Sequence, residues 1–138
     1  MKMGTGMKAE VPQPVLTGED VTFIQQTVKA IPVPDHVYRY AERIVRSSRP
    51  KSPVAFDFCK KWLTFGAGPR ASLGLIMAAK AHAILQGQLH VGTANIDAVA
   101  PPILRHRLIL GFVAQSEGIT VEDIIRKVLA AVPRNVNE

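Results

Sequence analysis

Phe65-Gly-Ala-Gly-Pro-Arg-Ala-Ser72 opens the strongest helical segment of the chain, and the fold is read outward from it. Pro69 suits the first position of a helix, where the missing N–H costs nothing. Gly68 is an acceptable N-cap. Arg70 then stands in the first turn, where the helix macrodipole is positive. A cation there is disfavoured by a few tenths of a kcal/mol, up to about 1. The free N–H groups beside it attract anions. Local chemistry leaves two readings: Arg70 points to solvent, or it is half of a phosphate site.

The helix that follows is expected from Pro69 to Gln86, with Leu73, Ile76, Met77, Ala83 and Ile84 as its apolar stripe and Gly87 as its stop. Upstream, Thr17-Gly-Glu-Asp20 has capping-box spacing and precedes a stripe of Val21, Ile24, Val28 and Ile31. Pro32 and Pro34 end that helix. A second begins near Pro34-Asp35, with Val37, Tyr40, Ala41, Ile44 and Val45 as its core face. Arg39, Arg43 and Arg46 share another face, and Pro50 closes the segment.

Lys51 to Ala67 is a long connection, extended in part near 53–65, with Lys60-Lys61-Trp62-Leu63 as a helical turn or the lead into a short strand. Thr93 is expected to cap a fourth helix through Ile96, Val99 and Ala100, interrupted at Pro101-Pro102. Leu108, Ile109 and Leu110 read as buried. Thr120-Val-Glu-Asp123 caps the last helix, whose face is Val121, Ile124, Ile125, Val128, Leu129 and Val132. The expected fold is an all-α bundle of about five helices over residues 15–132, with tails at 1–14 and 133–138.

The 138 residues suffice for one core. At 47% hydrophobic and 20% charged the composition is that of a globular chain. No apolar run approaches the roughly 18 residues of a membrane helix, and Met1 to Glu10 has no secretory h-region, so a cytoplasmic protein is expected. Cys59 is the sole cysteine, which excludes an intrachain disulfide and reads as an inert buried thiol.

The net charge of +6 points to an anionic partner without choosing one. The stripe Arg39, Arg43, Arg46 and the cluster Arg105-His106-Arg107 fit a nucleic-acid backbone, an acidic protein face, or plain solvation. No aromatic interleaving supports single-strand binding. His36, His82, His90 and His106 lack zinc spacing and read as surface or interface residues. Ser72, Ser116 and Cys59 lack a neighbouring base. The sequence holds no Gly-x-x-x-x-Gly-Lys-Ser/Thr loop, so it is not expected to hydrolyse ATP alone.

Four stretches in order resemble one family, the lid domain of MoxR-type AAA+ ATPases. Gly66-Ala-Gly-Pro-Arg-Ala-Ser72 is similar to its lid signature and Ala78 to Gly87 to the helix after it. Val99-Ala-Pro-Pro-Ile-Leu-Arg-His-Arg-Leu108 and Glu117-Gly-Ile-Thr120 match its later segments. The resemblance covers roughly Val15 to Val132. It departs at Gly92-Thr-Ala-Asn-Ile96, where Asn95 lacks the charge that favours a helix start, and in the long 51–67 connection.

The resemblance implies that Arg70 is the sensor-two arginine, reaching the γ-phosphate of ATP bound with magnesium in a P-loop core, with Gly68 and Pro69 fixing its position. It implies no cofactor for this chain by itself. It places Arg105, His106 and Arg107 toward the core or a neighbouring subunit. It further implies a homo-oligomeric ring, chaperone-like maturation of other proteins and a von Willebrand A domain partner, and it argues against nucleic acid. The rival readings are a basic nucleic-acid-binding bundle and a stand-alone protein-interaction bundle.

Overall fold

The computed structural model describes residues 13–134. Most of the two expected tails lies outside the described residues. Seven helices and one two-stranded sheet follow in order: α1 Gly18–Ala30, α2 Asp35–Ser47, α3 Asp57–Trp62, β1 Leu63–Phe65, α4 Pro69–Leu85, α5 Thr93–Leu104, β2 Ile109–Leu110, α6 Phe112–Ser116 and α7 Val121–Ala131. Five of them are the expected helices. The short α3 and α6 are additional, and Lys60 to Leu63 form both the end of a helix and the start of a strand.

Both capping boxes are present. Thr17 Oγ1 accepts the Asp20 N–H at 3.1 Å while the Asp20 carboxylate accepts the Thr17 N–H at 2.8 Å. Thr120 and Asp123 repeat the exchange at the head of α7. Each box satisfies donors that a helix start leaves unpaired. At the head of α5 the cap is Gly92, not Thr93. Asn95 Oδ1 accepts the Gly92 N–H at 2.7 Å, so an uncharged amide performs the reciprocal half of the box. Asn95 is buried, and its Nδ2 faces Gln88 Oε1 at 2.8 Å and His82 Nδ1 at 3.1 Å. His82 is therefore half-buried in a polar network and not a surface group.

The core is centred on α2, whose Val37, Tyr40, Ala41, Ile44 and Val45 are fully buried as expected. Such burial is worth about 1.5–3 kcal/mol for each larger apolar side chain. On α4 the expected face is right only in part, at Ile76 and Ala83. Ala71, Leu75, Ile76, Ala79 and Ala83 are buried, whereas Leu73 is 69% and Met77 43% exposed. The helix is apolar nearly all round, so periodicity alone cannot choose its inner face. The small residues decide it, because they let α5 approach closely: Gly74 lies against the Ile103 side chain.

Three further expectations are corrected. The α1 stripe is not a core face: no residue of α1 is fully buried, and Val21 and Ile24 are exposed. Val28 is half-buried, and Ile31, just past the helix end, packs partly against the core. Only the end of α1 is tied down, where Lys80 Nζ donates to the Lys29 carbonyl at 2.7 Å. Pro101 and Pro102 do not interrupt α5, which runs through them to Leu104. Each interior proline costs about 3 kcal/mol; packing of α5 on α4 and α7 offsets this, and the Arg105 N–H bonds the Pro101 carbonyl at 3.0 Å. Finally, Leu108 is buried but Ile109 is exposed, because the alternation of β2 sends it outward.

Candidate functional site: the head of α4

Gly66, Ala67 and Gly68 leave β1 and enter α4 across the end of α2. Ala67 is fully buried, and both its backbone groups are held by consecutive residues there. Ser48 Oγ accepts the Ala67 N–H at 3.1 Å, and Arg49 Nε donates to the Ala67 carbonyl at 2.7 Å. Ser48 Oγ in turn donates to the Val45 carbonyl at 2.8 Å. A Cβ on Gly66 would come within 2.6 Å of Arg49 Cα, and closer still to the Ser48 carbonyl oxygen. Only glycine permits so close an approach. Sequence reasoning missed Ser48 and Arg49. Their sole signal is polarity immediately before Pro50, at a helix end.

Gly68 is the N-cap and Pro69 the first helical residue, as expected, and α4 has no side-chain cap. Gly68, Pro69 and Arg70 are all exposed. Among the described residues Arg70 has no carboxylate within ion-pair distance. Arg70 is therefore an exposed cation in the first turn of a 17-residue helix, three residues after the clamped Ala67.

Antiparallel packing brings the second basic motif to the same end. His82 on α4 faces Asn95 on α5, and Gly74 faces Ile103. Extending that register places the Arg105-His106-Arg107 turn level with Arg70. The β ladder does the same from the other side, since Phe65 pairs with Ile109. The three residues are not equivalent. Arg105 Nε is paired with the Glu122 carboxylate in the first turn of α7. Arg107 Nε donates to the Ile103 carbonyl at 2.9 Å, closing the end of α5. His106 is exposed.

Beside Arg70, the α2–α4 cleft exposes Tyr38, Leu73 and Met77 around a depression of about 470 Å³. Leu73 follows Arg70 at i+3 and so shares its helix face. The head of α4 thus presents a cation with an apolar strip behind it. No group of His, Cys, Asp and Glu among the described residues could hold a metal ion.

The architecture is that of a helical lid. A crystal structure from Cytophaga hutchinsonii, assigned as an ATPase, superposes with a TM-score of 0.79 at 28% identity, over 87% of this chain and 36% of that one. The chain belongs to the AAA lid domain family, which it matches over residues 58–128. Chaperone MoxR1 of Mycobacterium tuberculosis is 34% identical over 86% of this chain and 31% of its own length. The uncharacterized protein YeaC of Bacillus subtilis is 33% identical over 89% and 36%. The chain therefore spans about a third of the length of these relatives, and the likeness to MoxR-type AAA+ ATPases runs through nearly all of it.

Proposed function

We propose that this chain is the nucleotide-sensing lid of a MoxR-like ATPase, and that Arg70 contacts the γ-phosphate of ATP held with magnesium by a P-loop core. The observation that carries the proposal is Arg70 itself: exposed, without a carboxylate partner among the described residues, and aimed by a loop locked to Ser48 and Arg49. A guanidinium offers paired donors that match phosphate oxygens. The triphosphate supplies terminal charge that changes on hydrolysis, so contact with Arg70 would differ between nucleotide states. A lid can be moved only by such differential contact. Clamping of Ala67 lets a pull on Arg70 act on the bundle as a whole. Leu73, Met77 and Tyr38 provide apolar area for docking against the core.

Arg105, His106 and Arg107 lie at the same end and belong to the core or subunit interface in this reading. The ring assembly, a chaperone-like role in maturing protein complexes, a von Willebrand A domain partner and a cytoplasmic setting complete the proposal. The resemblance to MoxR-type members supports these. No described helix is long and apolar enough to cross a membrane.

The test uses a protein holding both core and lid. Arg70→Ala should lower ATP turnover at least tenfold, and Arg70→Lys should restore only part of it, because an ammonium lacks the planar fork. Unchanged turnover and unchanged ATP affinity in Arg70→Ala would refute the sensing role.

A further inference from the structure

A second basic surface lies outside the head of α4. The outward face of α2 carries Arg39, Arg43 and Arg46 above a groove of about 540 Å³. Its floor and far wall are apolar: Val54 and Phe56 from the turn before α3, and Ala131 and Pro133 from the end of α7. Arg46 is paired with Glu42 at 3.3 Å. Arg39 and Arg43 have no carboxylate within ion-pair distance among the described residues. Like charges one helical turn apart destabilise a helix by a few tenths of a kcal/mol, so this face gains from a negatively charged occupant.

We infer that the groove between α2 and the end of α7 docks an acidic peptide segment of a partner protein, with two carboxylates and an apolar side chain on one face. Arg39 and Arg43 are about 6 Å apart along the helix axis. Side chains i and i+2 of an extended peptide are separated by about 6.7 Å on one face, so two such carboxylates can meet both guanidiniums. The next side chain on that face then reaches Val54 and Phe56. Arginine with buried apolar contact is the usual make-up of such an interface. A nucleic-acid backbone fits less well. It gains nothing from the apolar floor. Only Phe56 among the groove's lining residues is aromatic, and it stacks on Phe58 with centroids 5.3 Å apart, so the groove has no run of aromatic faces for successive bases.

The experiment selects a random displayed peptide library on the 138-residue chain and on its R39E/R43E variant. Both arginines are exposed and have no carboxylate partner among the described residues, so the variant should fold; a melting curve checks this, and R39Q/R43Q serves as a milder second variant. Selected peptides should carry paired Asp or Glu with an aromatic or branched apolar residue. They should bind at least tenfold more weakly to both variants and equally well to Arg70→Ala, which separates this surface from the sensing role. The inference is overturned by three results: no enrichment over R39E/R43E, selected peptides without carboxylates, or oligothymidylate displacing the peptides at lower concentration than an equally charged acidic peptide does.

Discussion

Arg49 Nε donates to the Ala67 carbonyl at 2.7 Å, and Ala67 lies three residues before Arg70. One hydrogen bond thus ties the end of α2 to the loop that aims the exposed guanidinium. Its companion, from the Ala67 N–H to Ser48 Oγ, leaves neither backbone group of that buried residue unpaired. The clamp converts a flexible Gly-Ala-Gly run into a fixed base for α4.

Two substitutions test the clamp. Ser48→Ala removes the acceptor of a buried N–H and should cost about 1–3 kcal/mol. Gly66→Ala forces its methyl against the backbone of Ser48 and Arg49 and should cost about 1–3 kcal/mol as an overpacking change. Thermal melting reads both, at about 4 °C per kcal/mol. A Gly66→Ala protein that melts with the parent would mean the loop does not sit against α2.

A second polar tie leaves α2 two turns earlier, at Tyr40. Tyr40 is fully buried, and its hydroxyl donates to Asp97 Oδ1 at 2.5 Å, while the Arg134 guanidinium lies 2.7 Å from Asp97 Oδ2. Burial, then the adjoining carboxylate, push the phenol above its ordinary value. Tyr40→Phe keeps the ring but removes the donor to a half-buried charge, which should cost about 1.5–3 kcal/mol. Arg134→Ala should also destabilise. The guanidinium is 65% exposed, but Asp97 is only 19% exposed, and its buried Oδ2 has no hydrogen-bond partner to replace the ion pair. The loss therefore leaves a buried carboxylate oxygen uncompensated. An Arg134→Ala protein that unfolds in urea with the parent would contradict this.

The caps of α1 and α7, the core face of α2 and the Gly68-Pro69 helix start were all legible in the sequence, because each depends on neighbours within a turn or two. What was not legible depends on a third element. The inner face of α4 is chosen by where α5 can approach, so alanines outrank Leu73 and Met77. Asn95 caps its own helix and also bridges to Gln88 and His82, which only the α4–α5 packing brings near. Pro101 and Pro102 read as breakers because local cost is visible and tertiary compensation is not. The same holds for the site. Arg70 could be singled out from its position at a helix mouth, whereas Ser48 and Arg49 act on it from 21 or more residues away in sequence. Pairing of Arg105 with Glu122 was equally hidden, since it needs α7 to lie against the end of α5.

Cys59 gives a pH-dependent check on the core. Its side chain is fully buried, and desolvation pushes the thiol up to about 12. The unfolded chain has an ordinary thiol near 8.5, so roughly a quarter of it is thiolate at pH 8. A raised value in the folded state means that the associated stability is whole below the ordinary thiol range. It then erodes as pH climbs from there toward 12. At pH 8 the native thiol is neutral and screened, and iodoacetamide should label it only through unfolding. The labelling rate should therefore rise with urea in step with loss of helical signal, and should reach the rate of an unfolded peptide above the transition. Native labelling at pH 8 within a fewfold of that peptide would show Cys59 to be open to solvent, and with it the packing of α3 against the bundle would fall.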